Sequence, residues 1–165
     1  MILYLLRHAE AVDLAPDPQR QLTHKGREDS LALGQYLQCQ HLLDVGAIWH
    51  SPYVRARETA ELLVHAHGGG LPKLQAIDGI TPEDDPRALE AKLQMVTSPT
   101  LIVSHNPFLS LLAAWLLTGS FSAFSVRFKK AGLMCLEVHA GPGQPLRGSA
   151  SFRWMITPAH YRSDF

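Results

Sequence analysis

The chain has 165 residues, 46% of them apolar and 18% charged, which supports a packed core and excludes a disordered or low-complexity chain. Fifteen Lys and Arg cancel fifteen Asp and Glu, which argues against bulk attraction to nucleic acid or a membrane surface. Two cysteines, Cys39 and Cys135, are too few and too far apart for a disulfide scaffold or a zinc cluster, and read as buried thiols in a reducing compartment.

In chain order, Met1 to Leu6 is apolar at every position and stops at Arg7-His8-Ala9-Glu10. A run this short and this apolar predicts a strand buried on both faces of a parallel sheet. It has no basic leader, is too short for a signal-peptide core, and no stretch approaches the roughly 20 apolar residues of a membrane span. The expectation is a soluble, cytoplasmic protein with a single domain over residues 1–165. Val12 to Gln21 holds Pro16, Asp17 and Pro18 and reads as a loop. Thr23 is placed to cap a helix running to about Cys39, with Leu31, Leu33, Tyr36 and Leu37 as its apolar face. Val45 to His50 reads as a short strand. Ser51-Pro52 then opens a second helix that carries Arg55 and Arg57 and stops at Gly68-Gly69-Gly70.

Leu74 to Ile77 suggests a third strand, Asp78 to Pro86 an acidic turn-rich loop, and Arg87 to about Val96 a helix. Thr100 to Val103 repeats the pattern of the N-terminus: a buried strand ending in Ser104-His105-Asn106-Pro107. Asn106-Pro107 is expected to cap and open a helix over Phe108 to Leu117, apolar nearly all round and therefore buried. Gly132 to Val138 and Ser151 to Ile156 read as two further strands, a hairpin across Gly141-Pro142-Gly143. Strands alternating with helices predict an α/β three-layer sandwich around a mostly parallel sheet. If the strands ending at Leu6, near His50 and at Val103 are parallel, Arg7, His8, Arg55 and His105 converge on one sheet edge, where ligands of such sheets bind.

Two arginines and two histidines suit a phosphoryl group. Arginine presents a planar fork of donors that matches phosphate oxygens and stays charged. Charge on a transferring phosphoryl group needs fixed positive groups around it. A neutral imidazole can attack phosphorus and split one hard step into two. The helix after Asn106 is able to point its amide end at the same anion.

Four motifs, spread over nearly the whole chain, carry a resemblance: Arg7-His8-Ala9-Glu10-Ala11, Leu22-Thr23-His24-Lys25-Gly26, Ser51-Pro52-Tyr53-Val54-Arg55-Ala56-Arg57-Glu58-Thr59-Ala60 and Ser104-His105-Asn106-Pro107. In that order they resemble the histidine phosphatase (phosphoglycerate mutase-like) superfamily. The short chain and the closing Trp154-Met155-Ile156-Thr157-Pro158 resemble its bacterial phosphohistidine phosphatase branch, the SixA-like proteins. The resemblance implies that His8 is the nucleophile and that Arg7, Arg55 and His105 bind the phosphoryl group. It implies no metal and no cofactor. Many members carry glycine after the nucleophile; this chain has Ala9, and alanine occurs there in the SixA-like branch.

Superfamily members often place a general acid in the loop before the second histidine strand. Here Asp78, Glu83 and Asp84, with Asp85 beside them, are all candidates. A phosphoester leaving group calls for such an acid; a phosphohistidine, whose nitrogen leaves readily once protonated, calls for it less. Between Arg55 and His105 there is room for one strand, one loop and one helix, so the site is expected to be open. The resemblance therefore implies phosphatase action on a phosphorylated protein, a histidine-containing phosphotransfer domain or carrier in signal transduction. The alternatives are hydrolysis of a small phosphoester and a non-hydrolytic module that binds phosphoproteins. His65-Ala66-His67 is no metal site, because residues two apart do not share a helix face. Arg127, Lys129 and Lys130 suit either a rim for an acidic partner or, more simply, a solvated strand edge.

Overall fold

The structure is a computed structural model, and it describes residues 1–14, 16–122 and 125–162. Six strands form one sheet: β1 (Ile2–Arg7), β2 (Ala47–His50), β3 (Leu74–Ala76), β4 (Thr100–Ser104), β5 (Leu133–Val138) and β6 (Ala150–Ile156), in the order β3-β2-β4-β1-β5-β6. β3, β2, β4 and β1 pair in parallel; β5 and β6 are added antiparallel at one side. The helices are α1 (His24–Cys39), α2 (Val54–His67), α3 (Glu90–Gln94), α4 (Phe108–Thr118) and α5 (Pro158–Tyr161).

Period-two alternation divides the sheet's side chains between two cores. Leu3, Leu5 and Ile102 face α4, packing with Phe108, Leu109 and Leu112. Tyr4, Leu6, Leu101 and Val103 face α1 and α2, packing with Leu33, Leu37, Ala60 and Leu63. β1 and β4 are buried on both faces, as continuous apolar strands require. This is the α/β sandwich the alternating pattern predicts, with the carboxyl ends of β1, β2 and β4 at one edge.

Most expected elements appear within two residues of their predicted bounds, and the departures have local causes. Leu31 and Tyr36 are only half-buried, and α1 instead buries Gly26, Asp29, Ser30 and Gly34 beside Leu33 and Leu37. α2 begins at Val54 rather than Ser51, because the Ser51 side chain is taken up by other partners and Tyr53 is the last extended residue. Arg87 to Val96 divides into a 3-10 turn over Pro86–Leu89 and the short α3. Asn106 does not cap α4: its side-chain Oδ1 accepts from Ser110 Oγ at 3.1 Å, and no side chain caps that helix. Of the two thiols, Cys135 is buried, with a pKa pushed by burial up to about 11, but Cys39 is exposed at the end of α1. No helix among the described residues is long and apolar enough to cross a membrane.

Two contacts place the loops around the edge. Thr23 caps α1 by accepting from Gly26 N at 3.0 Å, while its own N–H donates to Glu10 O at 2.9 Å. Gly26 is fixed by the same approach: a Cβ there would collide with the Glu10 carbonyl oxygen. The turn after His8 is thus pressed onto the start of α1.

Candidate active site

The four residues singled out from sequence meet at the carboxyl edge of the sheet. Arg7 ends β1, and its N–H donates to Gly132 O at 3.1 Å. His8 follows, its N–H donating to Ser104 O at 2.9 Å, so the backbone carrying the imidazole is an extension of the β1–β4 ladder. His105 follows β4, and the His8 and His105 rings lie 5.1 Å apart between centroids. Arg55, one residue into α2, donates from Nε to His8 Nε2 at 3.1 Å. Positions 8, 55 and 105 are buried, at 7%, 3% and 1% exposure.

The hydrogen bonds fix the state of His8. Its Nδ1 lies 2.7 Å from Ala9 O, a pure acceptor, so Nδ1 carries the proton. Nε2 keeps its lone pair, and Arg55 points a donor at it. Burial, and beyond it the charges of Arg55, Arg7 and Arg20, lower the His8 pKa to about 3. The ring is therefore neutral at any working pH, with its unprotonated nitrogen facing Arg55.

His105 is prepared differently. Its Nε2 lies 2.7 Å from Ser51 Oγ, which is fully buried and also accepts from Tyr53 N at 3.3 Å. With the Ser51 proton given to Nε2, the neutral ring carries its own proton on Nδ1. That Nδ1 is buried without a partner. Burial, followed by the neighbouring His8 and Arg55, lowers the His105 pKa to about 2. Tyr53 packs edge-on to this ring at 5.0 Å and lies under the Arg55 guanidinium at 5.0 Å.

Among the described residues, three buried side-chain nitrogens lack a partner: Arg7 Nε, His105 Nδ1 and His67 Nδ1. Buried donors are almost always satisfied. Two of these three belong to residues at the carboxyl edge of the sheet, where the buried Arg55 guanidinium meets the His8 Nε2 lone pair. The arrangement suits a tetrahedral anion, which would take up these donors, and a nucleophile on phosphorus.

Other side chains complete the site, and of these Asp17 and Ser51 were given no role from sequence. Asp17, in the Pro-rich loop, holds Arg55 twice: its carbonyl accepts from Nη1 at 2.8 Å and its carboxylate from Nη2 at 3.1 Å. The same carboxylate binds Arg20 Nη1 at 2.9 Å, and Arg20, then Arg55, keep Asp17 below its usual pKa. The expectation of an open site is not met in this arrangement, since the 17–20 turn lies across Arg55. Thr59 accepts from Ala9 N at 3.0 Å and donates to Arg55 O at 2.6 Å, tying the turn after His8 to α2. Glu58 accepts from Leu22 N at 2.7 Å. Arg57 points away to Glu61, 3.6 Å distant.

The acid candidates sit in a loop tied to this edge where Ser104 Oγ donates to Ile80 O at 2.7 Å. Asp78 and Glu83 are exposed. The Asp84 carboxylate is engaged inside the loop by Thr81 N and Thr81 Oγ1 at 2.6 and 2.7 Å, and Asp85 binds Arg87. No hydrogen bond connects any of the four to His8, Arg55 or His105.

Residues 3–80 match the model of the histidine phosphatase superfamily (branch 1). The solved protein histidine phosphatase SixA, in complex with tungstate, is similar with a TM-score of 0.84 and 25% identity, over 98% of this chain and all of that one. The chain belongs to the histidine phosphatase superfamily. It is a phosphatase of that superfamily, similar to SixA in fold over 98% of its length. An uncharacterized protein of Picosynechococcus sp. is 34% identical over 144 residues, 83% of this chain and 85% of its own. The phosphoserine phosphatase of Entamoeba histolytica, in complex with 3-phosphoglyceric acid, shows the same fold at 15% identity, with a TM-score of 0.69 over 98% of this chain and 99% of that one.

Proposed function

We propose that this chain is a metal-independent phosphohistidine phosphatase acting through a covalent phosphohistidine on His8. The observation that carries the reading is the pairing of a neutral His8, whose Nε2 lone pair faces the Arg55 guanidinium, with buried unpartnered nitrogens on Arg7 and His105 at the same sheet edge. SixA, the relative complexed with tungstate, a tetrahedral oxyanion, supports it.

In the first step Arg55 leaves His8 Nε2, and the phosphoryl group takes its place. Arg7 Nε–H, His105 Nδ1–H and the Arg55 guanidinium bind its oxygens. The Nε2 lone pair attacks phosphorus, the bond from phosphorus to the leaving nitrogen breaks, and the partner's imidazole departs with its proton already on the ring. His8 becomes N-phosphorylated at Nε2 and keeps its Nδ1 proton on Ala9 O. In the second step water attacks phosphorus, the P–Nε2 bond breaks, and inorganic phosphate leaves. The arginines supply the positive charge throughout, so no metal is called on. Because the leaving group needs no placed acid, engagement of Asp84 and Asp85 within their own loop does not obstruct this substrate. With Asp78 or Glu83 as acid, an ester would be cleaved instead.

A small phosphomonoester is the second reading. Burial of His8, Arg55 and His105 beneath the Asp17 turn favours it, since a small ester needs less of the cleft uncovered. A phosphohistidine-bearing protein assayed beside p-nitrophenyl phosphate, with chelator present, separates the two. The first reading predicts faster, chelator-insensitive turnover of the phosphoprotein; hydrolysis of the small ester alone would overturn it.

A further inference from the structure

Arg7 belongs to two places at once. It stands beside His8 at the end of β1, and it lines a solvent-facing cavity of about 430 Å³ on the neighbouring surface. Lys25 enters that cavity from the first turn of α1, and Lys129 and Lys130 enter from the segment before β5. That segment is not a strand edge. Its Phe128 is buried, the Phe128 carbonyl accepts from Arg7 Nη1 at 2.8 Å, and Gly132 N closes a turn on Lys129 O at 2.9 Å. The two lysines are therefore held against Arg7 by the fold.

Charge in this cavity is unbalanced. Of its carboxylates, Asp29 is gripped by the Arg162 guanidinium at 2.6 and 2.5 Å. Glu10 accepts from Thr23 Oγ1 at 3.0 Å and lies 3.9 Å from Lys130. Lys25 and Lys129 have no acidic partner among the described residues. In a chain with formal net charge of zero, the excess is local. It adjoins the one member of the site that reaches solvent: Arg7 is half-buried while His8, Arg55 and His105 are buried.

We propose that this cavity is a docking groove for an acidic segment of the phosphorylated protein, seated so that the phosphoryl group beside that segment reaches Arg7 and His8. The inference rests on the phosphoprotein reading of the site. The groove suits a chain of carboxylates better than one small anion. Its free charges are ammonium groups on flexible stems, carried by two separate elements, and its guanidinium at Arg162 is already committed to Asp29. Rim charges of this kind speed encounter and set partner choice more than they add raw affinity.

Two synthetic peptides test it, each carrying one histidine phosphorylated with phosphoramidate. One is flanked by Glu and Asp, the other by Ser and Gln. For the full chain at low salt, kcat/KM is expected to favour the acidic peptide about fivefold, the product of two exposed ion pairs of ordinary strength. High salt brings the ratio towards one. Lys25→Gln combined with Lys129→Gln brings it there at low salt. A wild-type ratio near one at low salt overturns the proposal, as does a preference that survives the double substitution. If neither phosphohistidine peptide is hydrolysed while p-nitrophenyl phosphate is, the phosphohistidine reading itself falls and the groove falls with it. Hydrolysis of both peptides at equal rates sinks the groove alone.

Discussion

At the scale of single residues, the account turns on which nitrogen holds a proton. The ordinary histidine pKa of 6.5 falls to about 3 at His8 and about 2 at His105, through burial first and neighbouring charge second. Ring resonances of both are therefore expected to stay in the neutral form from pH 8 to pH 5; titration of either near 6.5 would contradict this. The same shifts make stability pH-dependent. Below about pH 6.5 the unfolded chain takes up protons that the folded rings refuse. Stability is then complete above that value and lost as pH falls towards 3, by about 1.4 kcal/mol per pH unit for each ring. Denaturant unfolding at pH 7 and pH 5 measures the loss. Ser51→Ala removes the partner of His105 Nε2 and with it the preference for a proton on Nδ1; kcat is expected to fall about tenfold or more, with the His105 nitrogen shifts reporting a changed tautomer. Unchanged kcat and shifts would show that the 2.7 Å contact has no influence on the tautomer.

At the scale of elements, the strands and turns decide what these residues can reach. Arg7, His8 and His105 were legible in the sequence because each lies at the end of a buried apolar strand or directly after it, and parallel strands end at one edge. Asp17 and Ser51 were not. Asp17 lies in a loop without periodicity, and its contact with Arg55 spans 38 positions. Ser51 looked like the start of a helix, yet its hydroxyl serves a histidine 54 positions away. Asp17 holds Arg55 where a phosphoryl group would sit, so Asp17→Asn is expected to tighten binding of inorganic phosphate several-fold at low salt. Weaker binding would show instead that Asp17 holds Arg55 in its productive pose. Gly26→Ala would drive a Cβ into the Glu10 carbonyl and push α1 off the turn that follows His8. A cost of about 1–3 kcal/mol in unfolding free energy, with a loss of turnover, is the expected outcome.

At the scale of the whole molecule, the sheet order β3-β2-β4-β1-β5-β6 places two antiparallel strands beside β1, and the segment leading into β5 carries Lys129 and Lys130 to the site's flank. Their alternative readings, rim or strand edge, were both open in sequence, because the pairing of β5 with β1 is a non-local fact. The general acid stayed ambiguous for a related reason: four carboxylates share a loop whose internal hydrogen bonds, to Thr81 and Arg87, no pattern announces. The central claim is that one imidazole on a strand end carries the phosphoryl group between partner and water. The direct measurement is intact-mass spectrometry after an alkaline quench, during turnover of a phosphohistidine-bearing protein, with wild type and His8→Ala compared. The account predicts one phosphoryl group on wild type, mapped to His8, and a folded His8→Ala protein with neither adduct nor turnover. Turnover by His8→Ala, or an adduct on any other residue, would contradict it.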